Sequence, residues 1–368
     1  MRRSVFMILV VSMICGIILD VVAQNNKELS FTNLFDASND AGVSCYRIPS
    51  LVTAPNGDLL AAIDQRVPSC GDLKWSRDIN IVLRRSKDNG KTWCNMEMVI
   101  DHPFGQSASD PSMIVDRERG VVFLFYNYMD LDKEKDIYYL HVMKSVDNGK
   151  TWSSPMDITD QITKPEWKTD FKFITSGRGA QTHKGWLIHT IVNLRNGLHV
   201  FGSKDHGDSW FLIDEPIIPG DESKIIELPN RQWMINSRVN NPRGKRFSHT
   251  SKSNGKTWST KVEMSLNDPG CNGTILTYSS KKSGDDKNRL IFVNANSSKK
   301  RENLCARISY DNGKTWSSSK VIYAGASAYS SITKMNNGSV GVFFEKDGYK
   351  KNSFTSFTIG WLTDGGDH

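Results

Sequence analysis

The chain has 368 residues, of which 38% are hydrophobic and 24% charged, a balance that excludes a disordered polymer and suits a soluble globular protein. Its formal net charge of +7 fits an anionic partner. The lysines are scattered and form no dense basic run, so no nucleic-acid partner is expected. No CxxC pair or Cys/His cluster is present, so no metal and no cofactor is expected either.

Residues 1–23 read as a secretory signal. Arg2 and Arg3 form the basic start, Val5 to Leu19 is largely apolar, and Val21-Val22-Ala23 offers small residues before Gln24. The apolar run is shorter than the roughly 20 residues that a membrane span needs. The expectation is therefore an exported protein, extracellular or periplasmic, without stable membrane insertion. An uncleaved N-terminal anchor is the alternative. The mature part, residues 24–368, reads as one domain and a monomer. Beyond Cys15 it carries Cys45, Cys70, Cys94, Cys271 and Cys305, so at least one is free or intermolecular if the rest pair. Residues 28–37 read as one strand, with Leu29, Phe31 and Phe35 sharing a face. Leu59 to Arg66 reads as a buried strand ending in polar residues.

The most informative stretch is Ser86-Lys87-Asp88-Asn89-Gly90-Lys91-Thr92-Trp93. It returns at 145–152, 203–210, 251–258 and 309–316, with Ser253 replacing Asp in the fourth copy. The third position falls at 88, 147, 205, 253 and 311, a near-constant period that marks a repeat architecture. Asp-Asn-Gly is turn chemistry: a side-chain acceptor for backbone N–H groups, then a residue free to take positive φ. The closing Trp is a large anchor beneath the turn. The first three copies follow strand-like runs at 79–83, 138–143 and 198–201. A strand–turn–strand unit at this spacing implies a blade of about four strands. The runs 340–344 and 354–361 supply a sixth unit without an octapeptide. The fold class expected is all-β: a six-bladed β-propeller of four-stranded antiparallel blades, its ring closed by the N-terminal strand, which removes exposed edges.

Cys45-Tyr46-Arg47-Ile48-Pro49-Ser50 adds a second signal. A Tyr-Arg-Ile-Pro motif together with five Ser-x-Asp-x-Gly-x-Thr-Trp turns resembles the bacterial-type sialidases (neuraminidases). The resemblance spans about residues 40 to 362, leaving nothing over for a lectin-like domain. It implies a six-bladed propeller that cleaves terminal sialic acid. It also implies three arginines on the substrate carboxylate, here Arg47, Arg238 in Asn236-Ser237-Arg238, and Arg301, with Arg307 the alternative for the third. Bare chemistry agrees, since guanidinium is a planar, permanently charged fork for a carboxylate. Arg66 resembles the arginine near the sugar's O4 position and the acid loop. Asp72 matches the general acid/base, with Asp78 the alternative. Tyr329, in Ala328-Tyr329-Ser330, matches the nucleophile. Glu222 matches its partner, with Glu227 a close competitor and Glu302 more remote. Asp110, in Ser109-Asp110-Pro111, resembles a residue lining the sugar pocket. Tyr126, Tyr128 and Trp75 are candidates for an apolar N-acetyl pocket, and 176–179 with Gln181 for the glycerol tail.

The function these features imply is that of a retaining exo-α-sialidase acting on sialylated glycoconjugates. A trans-sialidase would share every one of these residues. A non-catalytic sialoglycan-binding propeller would need neither Tyr329, Glu222 nor Asp72.

Overall fold

A computed structural model describes residues 28–241 and 243–367. The secretory reading of 1–23 lies outside the described residues. The chain folds almost wholly into β-strands, with a few helical turns. Successive antiparallel runs of four strands occupy residues 45–100, 106–157, 172–217 and 223–267. A fifth run starts with Thr274–Ser279 and ends in the first half of a 17-residue strand, Ser318–Lys334. That long strand changes partners along its length. Up to Ala326 it pairs with Glu302–Ser309, and from Ser327 it pairs with Val340–Lys346.

The last run is completed from the other end of the chain. Thr32–Asp36 pairs antiparallel with Lys351–Phe357, placing Thr32 opposite Phe354. Of the segment read as one strand at 28–37, only Thr32–Asp36 is strand, with a helical turn from Ala37, and it covers what would be an open sheet edge. The run at 354–361 is a strand only to Phe357. The Thr358 hydroxyl then accepts from the Trp361 N–H at 3.0 Å, capping a short helix over Ile359–Leu362.

The octapeptide forms the same turn each time. In the first copy, the Gly90 N–H donates to Ser86 Oγ at 2.8 Å. Asp88 accepts from the Thr92 N–H at 2.9 Å and from its hydroxyl at 2.6 Å. Asp147, Asp205 and Asp311 accept in the same way. Ser253 retains the backbone bond, from the Thr257 N–H at 2.9 Å, so the fourth turn survives the replacement. Two consecutive residues are left-handed, Asn89 at φ 58° and Gly90 at φ 82°.

Glycine is required there by packing as well as backbone. A Cβ on Gly90 would lie 2.1 Å from Phe354. Gly149 meets Leu60, Gly207 meets Phe123, Gly255 meets Ile213 and Gly313 meets Met234. In each case the neighbour belongs to the preceding run, and Gly90 of the first run meets the last. The turns therefore clip each of the first five runs to the one before it in the cycle. Gly90→Ala combines a left-handed non-glycine residue with a core clash. It should cost at least about 2 kcal/mol of stability while leaving turnover by the folded fraction unchanged. Denaturant unfolding alongside kcat checks this.

The first strands of the runs face one another. The Thr53 and Thr333 hydroxyls lie 2.9 Å apart, Ser50 Oγ donates to the Gly177 carbonyl at 2.5 Å, and Thr175 Oγ1 donates to the Ser223 carbonyl at 2.9 Å. One end of this strand cluster carries the residues singled out from sequence.

Candidate active site

Three β-bulges shape that end. The ladder register shifts between Arg47 and Ser50, between Ser109 and Ser112, and between Ser327 and Ser330. Pro49 and Pro111 lie in two of them and cannot donate to the ladder. Ile48 and Asp110 are left-handed, at φ 68° and 62°. A bulge re-aims a side chain at the cost of a freed backbone N–H. Here buried carboxylates accept those N–H groups. Glu345 takes Ile48 N at 2.9 Å and Tyr329 N at 3.0 Å, and Asp64 takes Asp110 N at 3.0 Å.

The bulges open onto a cavity of about 580 Å³ lined by Arg66, Asp72, Asp110, Glu222, Arg238 and Tyr329. Tyr329 is buried, and its hydroxyl donates to Glu222 Oε2 at 2.5 Å. Arg238 Nη1 donates to the same phenol oxygen at 2.9 Å and also pairs with Glu222. The Arg301 and Arg47 guanidiniums lie 5.4 and 5.7 Å from the Tyr329 ring centre. Burial, then the Glu222 charge, pushes the phenol far above its ordinary pKa, against the pull of Arg238 and Arg301. The phenol is therefore neutral and its proton points at a carboxylate. Arg301 also donates to the Tyr349 hydroxyl at 3.1 Å, and Arg47 sits 4.1 Å above the Tyr349 ring. Arg47 Nε is paired with Glu345 at 2.7 Å.

The opposite wall carries the second acid. Arg66 pairs with Asp64 at 2.9 Å and with Asp72 at 2.7 Å. Asp72 is 77% exposed and reaches the cavity from the loop after Cys70. A Cys45–Cys70 disulfide ties that loop to the Arg47 strand; Cys94, Cys271 and Cys305 are free. Partial burial raises the Asp72 pKa, but Arg66, Arg47 and Arg301 outweigh it, so the carboxyl lies below its ordinary value. Asp110 is shifted the other way. Burial and the neighbouring carboxylates Asp64 and Glu222 hold it well above the usual range, favouring the neutral acid.

Six of the eight residues named for the site line this one cavity: Asp72, Tyr329, Glu222, Arg66, Asp110 and Arg238. Arg47 and Arg301 do not line it but stand beside it against the Tyr329 ring, and Arg47 lines a neighbouring cavity. The alternatives lie elsewhere. Glu227 is five residues along the strand, roughly 16 Å from Glu222 at the usual rise. It is held by His183 at 2.7 Å and Arg231 at 3.3 Å. Arg307 donates to Asn294 at 3.1 Å within the sheet. Asp78 serves through its carbonyl, which accepts Val67 N.

Residues 57–342 match the family described as BNR repeat-like domain. A sialidase from Micromonospora viridifaciens is 31% identical over 349 residues, covering 87% of this chain and 52% of that protein. A sialidase from Bacteroides fragilis is 29% identical over 361 residues, covering 89% of this chain and 65% of that protein. The chain belongs to the bacterial-type sialidase family. It spans about half the length of the first of these relatives. Among solved structures, the Hadza microbial sialidase Hz136 superimposes with a TM-score of 0.79 at 26% identity, covering 88% of this chain and 67% of that one.

Two secondary expectations for this sialidase-family chain need correction. Tyr126 and Tyr128 do not reach the cavity: Tyr126 is buried with its hydroxyl on His141 at 2.9 Å, and Tyr128 stacks on the same imidazole. Trp75 does line it, 69% exposed at the rim. Tyr138, Phe171, Phe173 and Leu194 extend the apolar wall. Arg178 and Gln181, assigned to the glycerol tail, line a different cavity. Sequence reasoning missed Glu345 and Asp64. Both are acids that interrupt or end an apolar strand, at Val340-Gly341-Val342-Phe343-Phe344-Glu345 and Leu59-Leu60-Ala61-Ala62-Ile63-Asp64, and that pattern was a usable signal. Among the described residues no group of three or more His, Cys, Asp or Glu is placed to hold a metal ion, and no helix is long and apolar enough to cross a membrane.

Proposed function

We propose that this sialidase-family chain is a retaining exo-α-sialidase that hydrolyses terminal sialic acid from glycoconjugates. The observation that carries the reading is the 2.5 Å hydrogen bond from the buried Tyr329 hydroxyl to Glu222, beneath three arginines. Sialic acid bears a carboxylate on its anomeric carbon. An anionic nucleophile would be repelled by it, whereas a neutral phenol is not. Arg47, Arg238 and Arg301 grip the substrate carboxylate. Asp72, protonated once substrate encloses it, gives its proton to the leaving glycosidic oxygen. Tyr329 oxygen attacks the anomeric carbon as its proton passes to Glu222, giving a covalent sialyl-enzyme. The Asp72 carboxylate then takes a proton from water, whose oxygen displaces Tyr329, and Glu222 returns the phenolic proton. Arg66 and Asp110 face the ring hydroxyls, and the wall from Trp75 to Leu194 offers an apolar surface for the N-acetyl methyl.

The same reading takes the six runs as blades of a six-bladed propeller forming one domain, 24–368, secreted as a monomer after removal of 1–23. The cyclic order in which the octapeptide glycines meet the preceding run supports the ring.

A fluorogenic sialoside with excess lactose tests the activity. Fluorophore and free sialic acid should appear without sialyl-lactose. No fluorophore release would leave a binding protein. Accumulating sialyl-lactose would make the chain a transferase, a reading favoured by Trp75, whose exposed ring could stack on an acceptor sugar. Arg301→Lys should lower kcat/KM by about 10²-fold, because an ammonium cannot reproduce the guanidinium fork. Arg307→Lys should leave it near the parent value. The reverse ranking would displace Arg301 from the site.

A further inference from the structure

The strands that carry the active site at one end line a second cavity, of about 610 Å³, at the other. Thr53, Val115, Ile226 and Thr333 stand there on the same strands that present Ile48, Asp110 and Tyr329, and follow Glu222, at the catalytic end. A buried polar layer separates the two. Lys224 Nζ donates to Asn272 at 2.8 Å, Asn272 donates to Ser176 at 2.9 Å, and Ser50 holds the Gly177 carbonyl at 2.5 Å. None of these five residues lines either cavity.

The second cavity is unbalanced in charge. Arg117, Arg178, Arg231 and Lys334 line it, against a single acid, Glu227. Glu227 is already shared by Arg231 and by His183, which binds it through both ring nitrogen and backbone N–H. No carboxylate lies within 4.0 Å of Arg117, Arg178 or Lys334 among the described residues. Arg178 Nη1 donates only to the Ile332 carbonyl, at 2.8 Å, and Lys334 to the Tyr278 carbonyl at 3.0 Å. Parallel pairing of Gly177–Arg178 with Ser112–Met113 fixes the backbone that carries the guanidinium. Burial, then the like charge of Arg117, lowers the Arg178 pKa to about 10. Three cations gathered without counter-ions are repelled from one another unless an anion joins them.

We propose that this cavity is a second ligand site that takes a phosphate group, held by Arg117, Arg178 and Lys334, separate from the catalytic cavity. Phosphate is preferred over a carboxylate because three cations match a group carrying up to two charges, and guanidinium binds it bidentately.

Inorganic phosphate serves as the probe, at about 50 mM and constant ionic strength, with acetate and chloride as controls. The melting temperature should rise by about 2 °C with phosphate alone. Arg117→Gln with Arg178→Gln should abolish that rise while leaving sialoside hydrolysis intact. Arg301→Gln, which alters only the catalytic end, should retain it. If the double variant fails to fold, Arg117→Gln alone, on the exposed rim, should at least halve the rise. An equal rise with acetate or chloride overturns the proposal. So does a rise that survives the arginine changes, or one lost in Arg301→Gln, which would put the phosphate among the catalytic arginines.

Discussion

Tyr329→Phe should lower kcat/KM on a fluorogenic sialoside by about 10³-fold or more, with little change in melting temperature. The phenyl ring keeps its place beneath Arg301 and Arg47, so packing is retained. Only the oxygen is lost, and with it the bonds to Glu222 and Arg238. Those two remain paired with each other, so no buried charge is stranded. The loss is therefore confined to the atom proposed to form the covalent bond. Parallel calorimetry makes the comparison clean. Activity within tenfold of the parent would remove Tyr329 from the role of nucleophile.

Glu345→Ala should damage both stability and activity. The side chain is fully buried, and its two oxygens hold Arg47 Nε, Ile48 N and Tyr329 N. Alanine strands the Arg47 charge and two buried N–H groups. Breaking one side of a buried pair costs about 3–5 kcal/mol, which for a chain of this size lowers the melting temperature by roughly 5 °C. Activity should fall as well, since an arginine and the phenol share this one support. Glu345→Gln is not a rescue: an amide has one acceptor and would point its NH₂ at a donor. Scanning calorimetry of the two variants checks this. A shift below about 2 °C for Glu345→Ala would mean that the freed donors find other partners.

Much of the fold was legible because its signals are local. A β-branched run ending in Asp-Asn-Gly specifies a strand and its turn within a dozen residues, as at Ile79–Ser86. The site residues were legible through motif positions, and Glu222 stood apart from Glu227 because it lies 16 residues before Arg238, whereas Glu227 runs into Leu228-Pro229 at a strand end. What failed depended on distance and direction. Glu345 acts on Arg47, 298 residues away in sequence, and nothing near either residue announces the pair. Tyr126 and Tyr128 belong to a strand whose aromatic side chains pack against His141, a choice made by the neighbouring strand. Arg178 follows Gly177, whose positive φ and parallel pairing carry the chain past the first cavity to the far end.

The pairing of Thr32–Asp36 with Lys351–Phe357 sets the order in which the molecule can be finished on the ribosome. The runs between can form as they emerge, each clipped to the last. The final sheet cannot, because one of its strands was made first and its partner is made last. Arg47 and Tyr329 lie on opposite sides of that join, bridged by Glu345. A nascent chain stalled before Glu345 would hold Asp72, Glu222 and even Tyr329, yet lack the residue that brings Arg47 to the phenol. Catalysis would then begin only with closure, which makes enzymatic activity a direct reporter of the final sheet's assembly.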